Sequence, residues 1–269
     1  MTLNSFSKEH QEYLVKIKQR KTLKIFLQIS IFVLFFTFWE IAARTGLINP
    51  FIFSSPTRAV KMIGTLFETG LLRHIGITLF ETIAGFFLGS LLGFIIAVFL
   101  WWSPLLKDVL DPYLVILNSL PKIALGPVII VWVGAGTSSI ITVTLLISIV
   151  VAIMGVLNGF NEVEQGKLTL LKTFGAKKHQ LFLKVVFPAS IPTTISVLKL
   201  NIGMSWVGVI VGEFLNSKAG LGYLIVYGGQ IFKMDIVMSA TLILCILSAA
   251  MYFGVVWFEK AVIKKQKGN

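Results

Sequence analysis

Long apolar runs dominate this sequence, and their length constrains the fold more than any motif does. A membrane-spanning helix needs about 20 predominantly apolar residues. Two runs that contain no charged residue, 140–160 and 236–258, meet this requirement most clearly. Further runs of similar length cover residues 25–43, 75–102, 109–133 and 195–215. The sequence therefore predicts an all-α fold, a polytopic membrane helical bundle with about six transmembrane helices.

The composition excludes a soluble domain of this size. Of the 269 residues, 56% are hydrophobic and only 13% are charged, and the mean hydropathy is +0.87. Soluble domains carry about 25% charged residues. Because one core can bury only a limited part of the surface of a chain this long, the remaining apolar surface requires lipid.

Among the prolines of the run over 109–133, Pro121 and Pro127 lie well inside it. Proline inside a helix removes a backbone hydrogen bond and clashes with the preceding turn. We therefore predict that this third span is broken, into a short surface helix and a half-span.

The net charge of +12 indicates a membrane orientation rather than a nucleic-acid partner, because the basic residues flank the apolar runs. Cytoplasmic loops carry an excess of Lys and Arg. With both termini cytoplasmic, the inner segments hold most of the 24 basic residues, including Lys107, Lys260 and the lysines of 161–188. The prediction is a multi-pass membrane protein with both termini in the cytoplasm.

The first 24 residues form a basic, mildly amphipathic arm. It is interpreted either as a regulatory or partner-binding arm or as an interfacial helix lying on anionic lipid. The apolar run that follows is longer than the roughly 7–15 residues of a signal peptide core. Glu40 and Arg44 occupy the place where cleavage would occur, so we expect a retained first helix.

Residues suited to enzymatic chemistry are scarce. His10, His74 and His179 are far apart and are predicted in connecting segments, and Cys245 is predicted to be a buried, inert residue. The segment from Gly159 to Gly166-Lys167 differs from a phosphate-binding loop in spacing and lacks the following Ser or Thr. We therefore expect no cofactor in this chain and no enzymatic activity of its own. If ATP drives the protein, another subunit must supply the ATPase.

Glycines recur at helical spacing in two runs. Gly85, Gly89 and Gly93 follow one another at every fourth position, and a second set comprises Gly203, Gly208 and Gly212. Small residues on one face let helix backbones approach closely. The interpretation is helix packing within one subunit for most of them, with a subunit interface or pore lining as the alternative.

Charged residues inside apolar runs are candidate functional residues. Lys199 and Glu213 lie about 21 Å apart along the fifth predicted helix, so they cannot pair within it. Lys199 either snorkels to the headgroups or lines a pathway, and Trp206 either packs or lines the same pathway. We take Lys199, Trp206 and Glu213 as candidate pathway residues, and Glu81 as a candidate cap near the outer end of the second helix.

The polar segment 161–188 carries the most specific pattern. Leu168, Leu171 and Phe174 lie at helical spacing before Gly175, whose freedom to adopt positive φ permits a turn between two short helices. Phe182 and Val185 continue the apolar spacing after it. A short amphipathic helix below the membrane is suited to docking into a groove of a soluble partner. Pro188 and Pro192 are predicted to prepare the start of the fifth span.

This segment resembles the cytoplasmic loop of binding-protein-dependent ABC importer permeases. That family has a Glu-Ala-Ala start, then a glycine, nine residues and Ile-x-Leu-Pro. Here Gly175 and Ala176 match, and Val185-Val186-Phe187-Pro188 follows after nine residues. In this sequence the three positions of the Glu-Ala-Ala start are occupied by Thr169, Leu170 and Leu171 instead. In the family this loop couples the permease to the ATPase subunit.

Three more segments resemble the nitrate, sulfonate and taurine branch of that family. They are SSPTRAV at 54–60, LNSLPKIALGPVIIVWVGAG at 117–136, and WVGVIVGEFLNSKAGLGYLI at 206–225. The last includes Glu213, Gly220, Leu221 and Gly222 at matching places. The likeness extends from about Phe53 to the C-terminus.

The resemblance implies a type I ABC importer permease fold and a specific set of partners. They are a cytoplasmic ATP-binding subunit, an external solute-binding protein and a second permease copy, expected as a homodimer. The expected organisation is an arm at 1–24, a first helix and outer segment at 25–73, a permease core at 74–260 with the coupling loop 161–188, and a tail at 261–269. A small solute such as a sulfonate, taurine or nitrate is expected. A stand-alone secondary transporter is the alternative, and a membrane-embedded enzyme is a third hypothesis.

Overall fold

A computed structural model describes residues 8–267, and all regular secondary structure within them is helical. In chain order the α-helices are α1 Lys8–Arg44, α2 Pro50–Phe53, α3 Pro56–Glu68, α4 Leu71–Trp102, α5 Pro104–Ser119, α6 Gly126–Val133, α7 Thr137–Asn161, α8 Gln165–Thr173, α9 Lys178–Leu181, α10 Phe187–Asn216, α11 Leu221–Gln230 and α12 Met234–Lys267. The prediction of an all-α fold is confirmed.

Five stretches of the described chain are long and apolar enough to cross a membrane. They are Lys16–Arg44, Leu71–Trp102, Thr137–Asn161, Lys178–Asn216 and Met234–Val262. A sixth candidate consists of α5 together with Lys122–Val133, which meet at an angle of 86°. Five straight spans and one broken span agree with the predicted six.

The break in the third span confirms the prediction from its prolines. α5 ends at Ser119, and a 3₁₀ turn at Lys122–Leu125 leads into α6. Pro121 begins the break because it supplies no N–H, and Pro127 sits in the first turn of α6, where that loss costs nothing. The prediction that Pro188 and Pro192 prepare the start of the fifth span is confirmed for Pro188, which lies in the first turn of α10, and was wrong for Pro192. Pro192 lies inside α10, and a π-helix at Phe182–Val186 joins α9 to α10 without a gap.

α7 is the central helix, and it packs mainly against α4 and α10. Glycines make both contacts close. A Cβ atom on Gly85, Gly89 or Gly93 of α4 would collide with Thr144, Ser148 or Ala152 of α7. Gly208 and Gly212 of α10 meet Thr144 and Ile140 of α7 in the same way. The interpretation as packing within one subunit therefore holds for these five glycines, whereas Gly203 faces open space.

Two apolar clusters mark the two ends of the bundle. One joins the ends of α4 and α7 to the segment between α7 and α10, with Leu100, Phe160 and Phe182 among its members. The other joins α3, α4, α11 and α12, with Leu71, Leu221 and Ala240 at its centre. We call the end near Phe160 the loop end and the end near Leu221 the far end.

The expectations for Cys245 and for the three histidines were wrong. Cys245 is exposed rather than buried, because it lies on the outward side of α12. All three histidines fall within helices instead of connecting segments. His10 lies in α1, His74 in the first turn of α4 and His179 in α9. Helices here extend further into the polar flanks than the apolar runs indicate.

Candidate functional site: the α8–α9 loop and the groove along α10

The loop that carries α8 and α9 is anchored in the loop-end cluster. Leu168 of α8, Leu181 of α9, and Phe182 and Val186 of the π-helix are all buried there. They contact the ends of α4 and α7, where Phe182 packs edge-on against Phe160 with ring centroids 5.4 Å apart. Because these contacts are apolar and dense, the loop is attached rigidly to the two central helices.

Gly175 makes the turn between the two short helices, as predicted. Its φ is +78°, a conformation that non-glycine residues rarely adopt. The Gly175 N–H donates to Lys172 O at 2.9 Å, and the Ala176 N–H donates to Leu171 O at 3.0 Å. These two bonds close the C-terminal end of α8, so α9 starts at a fixed angle to it.

The outer face of this loop exposes two large apolar side chains. Leu170 is 57% exposed and Phe174 is 78% exposed, and we call this pair the knob. Thr169 beside them is also exposed. The same segment is rich in basic residues, namely Lys167, Lys172, Lys177, Lys178 and Lys184. Leu168 and Leu171 turn inward instead, so α8 is anchored on one face and presents the knob on the other.

A second contact connects α9 to the end of α4. The Lys178 ammonium donates to Trp102 O at 2.7 Å and lies 5.7 Å from the centroid of the Trp101 ring. Trp101 in turn packs against Phe182 at 5.0 Å between ring centroids. The matched segment Val185–Pro188 continues this region into α10, with Val186 fully buried, Val185 and Pro188 half-buried and Phe187 38% exposed.

Two of the three candidate pathway residues share one groove. Lys199 and Trp206 of α10 line a groove of about 740 Å³ between α10 and α12, opposite Ser248 and Tyr252. The Lys199 ammonium pairs with Glu259 of α12 at 2.7 Å, so it is partnered instead of snorkelling freely. The Trp206 indole N–H is buried without a hydrogen-bond partner in the described part of the chain.

Glu213 lies away from this groove, at the far end. Its carboxyl group accepts hydrogen bonds from Thr78 Oγ1 at 2.6 Å and from the Gly222 N–H at 2.5 Å. The Leu221 N–H donates to Thr78 Oγ1 at 2.8 Å, and the Gly220 N–H donates to His74 Nδ1 at 2.9 Å. We call these contacts the outer latch, because they fasten the α10–α11 turn to α4.

The expectation that Glu81 caps the outer end of the second helix was wrong, because Glu81 lies well inside α4 and beside the latch. Glu81 is only 1% exposed, and its carboxyl group faces Glu213 and Thr137, although neither oxygen has a hydrogen bond of normal geometry. Glu81 and Glu213 are distant in sequence and on different helices, so no spacing rule brings them together. The available signal was that both carboxylates occur inside apolar runs.

Comparison with known proteins identifies relatives over most of the chain. Residues 89–266 match the family model of the binding-protein-dependent transport system inner membrane component. A probable ABC transporter permease protein of Haemophilus influenzae is 34% identical over 81% of this chain and 89% of its own length. A putative aliphatic sulfonates transport permease protein of Bacillus subtilis is 26% identical over 84% of this chain and 82% of its own length.

A solved structure shares the same helical arrangement. The chain superposes on a subunit of the MetNI methionine ABC transporter, in an inward-facing conformation, with a TM-score of 0.65 and 22% identity. The match covers 71% of this chain and 95% of that one. At this identity, the match shows a common fold.

Proposed function

Because the chain belongs to the family of binding-protein-dependent transport system inner membrane components, and is the permease subunit of an ABC importer, we propose that the α8–α9 loop is where an ATP-binding subunit docks. The fold is that of type I ABC importer permeases, as the resemblance predicted. A stand-alone secondary transporter is not favoured, since the relatives are ABC permease subunits.

The main support for this proposal is that α8 has one buried face and one exposed apolar face. Leu168 and Leu171 anchor it in the loop-end cluster, while Leu170 and Phe174 are exposed. Exposed apolar side chains rimmed by polar ones mark protein interaction sites. A partner that holds the knob would therefore transmit its motion directly to α4 and α7. The Thr169-Leu170-Leu171 start, in place of Glu-Ala-Ala, makes this docking helix more apolar.

The partners follow from the same family. We infer that the ATP-binding subunit hydrolyses ATP on the cytoplasmic side and that this chain binds no cofactor. An external solute-binding protein delivers the solute at the far end, and both termini lie in the cytoplasm of a bacterial plasma membrane. The basic loop segment 161–188 supports this orientation. No nucleic acid is involved.

Two permease copies, as a homodimer, form the pathway between them. Lys199 and Trp206 in the α10–α12 groove are candidate lining residues, while Glu213 acts from the outer latch. We propose a small sulfonate as the solute, by analogy with the relative from Bacillus subtilis.

ATP-driven uptake tests the proposal. The chain would be purified with the ATP-binding subunit that accompanies it, reconstituted in proteoliposomes with its solute-binding protein, and assayed with labelled ethanesulfonate and taurine. ATP-dependent uptake is expected, and alanine at Lys199, Trp206 or Glu213 should reduce it. Uptake driven by an ion gradient without ATP would overturn the coupling role. Unchanged uptake in all three alanine variants would overturn the pathway assignment.

A further inference from the structure

The broken third span contains a non-helical link at Leu120 and Pro121, next to the 3₁₀ turn Lys122–Leu125, within an apolar segment. Between Ser119 and Gly126 the chain turns by 86°. The apolar residues of this break are exposed in the single chain, Leu120 at 45%, Ile123 at 50% and Leu125 at 41%. Gly126 contacts Leu215 of α10, which places the break on the far-end half of the bundle.

Irregular backbone at membrane depth cannot face lipid, because its N–H and C=O groups have no partner there. It is tolerated only where protein covers it or where it lines a water-filled cavity. The described part of this chain covers one side of the break with α7, and Leu215 of α10 lies against Gly126 just after it, while the other side is left open. The open side therefore faces protein or water, and in a two-copy permease that means the second copy and the pathway.

Lys122 lies in this break and has no carboxylate partner among the described ion pairs. Its ammonium is 3.5 Å from Asn118 Oδ1, at the edge of hydrogen-bond distance. By contrast, Lys199 is neutralised by Glu259 and Arg58 by Asp235. A half-buried cation without a counter-charge is costly in an apolar segment unless an anion approaches it.

We propose that Lys122 binds the anionic group of the solute, in a site that is complete only when the second copy contributes its own Lys122. This inference rests on the proposed two-copy permease and narrows its solute to an anion such as a sulfonate. A twofold interface brings a residue near the axis opposite the same residue of the partner copy. Two ammonium groups in that arrangement repel each other until an oxyanion lies between them. In other transporters, broken helices also bind solutes, because the unpaired backbone groups at the ends of the half-helices interact with the charged groups of the solute.

Proximity of the two copies is tested by crosslinking in membranes. Lys122→Cys, in a Cys245→Ser background, is treated with a short bis-methanethiosulfonate reagent, and a crosslinked dimer of this chain is expected. Ile31→Cys, on the exposed side of α1 and outside the α10–α12 groove, is the matched control and should give little dimer. Absence of a dimer at position 122 would overturn the inference. This assay needs no ATP-binding subunit, so its failure is distinct from failure of the proposed function.

Anion binding is tested by thermal stability of the purified protein in nanodiscs. Ethanesulfonate should raise the Tm of the wild type above that in chloride of equal ionic strength. Lys122→Gln should lose this rise and Lys122→Arg should keep it, because only the charge is required. An equal rise in the Gln variant, or none in the wild type, would contradict an anion site at Lys122.

Discussion

The Lys199 ammonium lies 2.7 Å from the Glu259 carboxylate, and this ion pair joins α10 to α12 at the loop-side end of the groove. Both side chains are only about one-fifth exposed, at 22% and 20%. Each charge is therefore stabilised mainly by the other charge and only partly by water. The pair fixes the spacing of the two helices that form the groove.

Removal of one partner leaves the other charge unpaired. Glu259→Gln and Lys199→Met are each expected to reduce stability by about 2 kcal/mol, less than for a fully buried pair because water reaches both groups. The double variant Lys199→Met/Glu259→Met should be more stable than either single variant. Melting of the purified protein followed by size-exclusion chromatography gives this comparison. Additive losses would show that the two charges act independently.

Phe174→Ala should separate docking from folding. Its side chain is 78% exposed, so we expect a Tm close to wild type together with a strong loss of copurifying ATP-binding subunit. Leu168→Ala on the same helix is the matched control. Leu168 is buried in the loop-end cluster, so its truncation should cost about 2–4 kcal/mol. Full retention of the ATP-binding subunit by the Phe174 variant would argue against the knob.

Gly220→Ala tests the outer latch. Gly220 has φ +121°, and a Cβ there would collide with the Glu213 carboxyl group. Gly134 has φ +89° with open space around it, so Gly134→Ala measures backbone strain alone, about 1–3 kcal/mol. We expect Gly220→Ala to lower the Tm clearly more than Gly134→Ala. Equal effects would mean that the Glu213 contact adds nothing.

Gly89→Val tests the close packing of α4 on α7. A Cβ at this position would meet the Ser148 side chain, so the two helices must separate, at a cost of about 1–3 kcal/mol. Gly76→Ala on the same helix meets nothing and should be neutral or slightly stabilising. Expression level and Tm of both variants provide the measurement, and similar values for the two would refute tight packing at Gly89.

Much of this fold follows from local chemistry. The lengths of the apolar runs predicted the spans, Pro121 predicted the break, and Gly175 predicted the turn between α8 and α9. Helix ends were less predictable. α12 continues to Lys267 and α1 begins at Lys8, because charged residues can extend a helix into water beyond the apolar run.

The contacts between distant residues could not be predicted from spacing. Lys199 and Glu259, or Glu81 and Glu213, meet only because α10 lies against α12 and α4. The same limit explains why Glu213 was grouped with Lys199 and Trp206. They share one helix, yet Glu213 lies in its last turn, where Thr78 of α4 and Gly222 of α11 hydrogen-bond to it at the far end.

The docking proposal is tested most directly by identifying the protein that contacts the knob. A Phe174→Cys variant in a Cys245→Ser background would be treated with a short bifunctional thiol reagent in native membranes. We predict a crosslink to an ATP-binding subunit, altered in yield by ATP, and none from Leu47→Cys in the exposed segment after α1. A Phe174 cysteine that never captures such a subunit, or that reacts only with a reagent applied from outside the cell, would contradict the account.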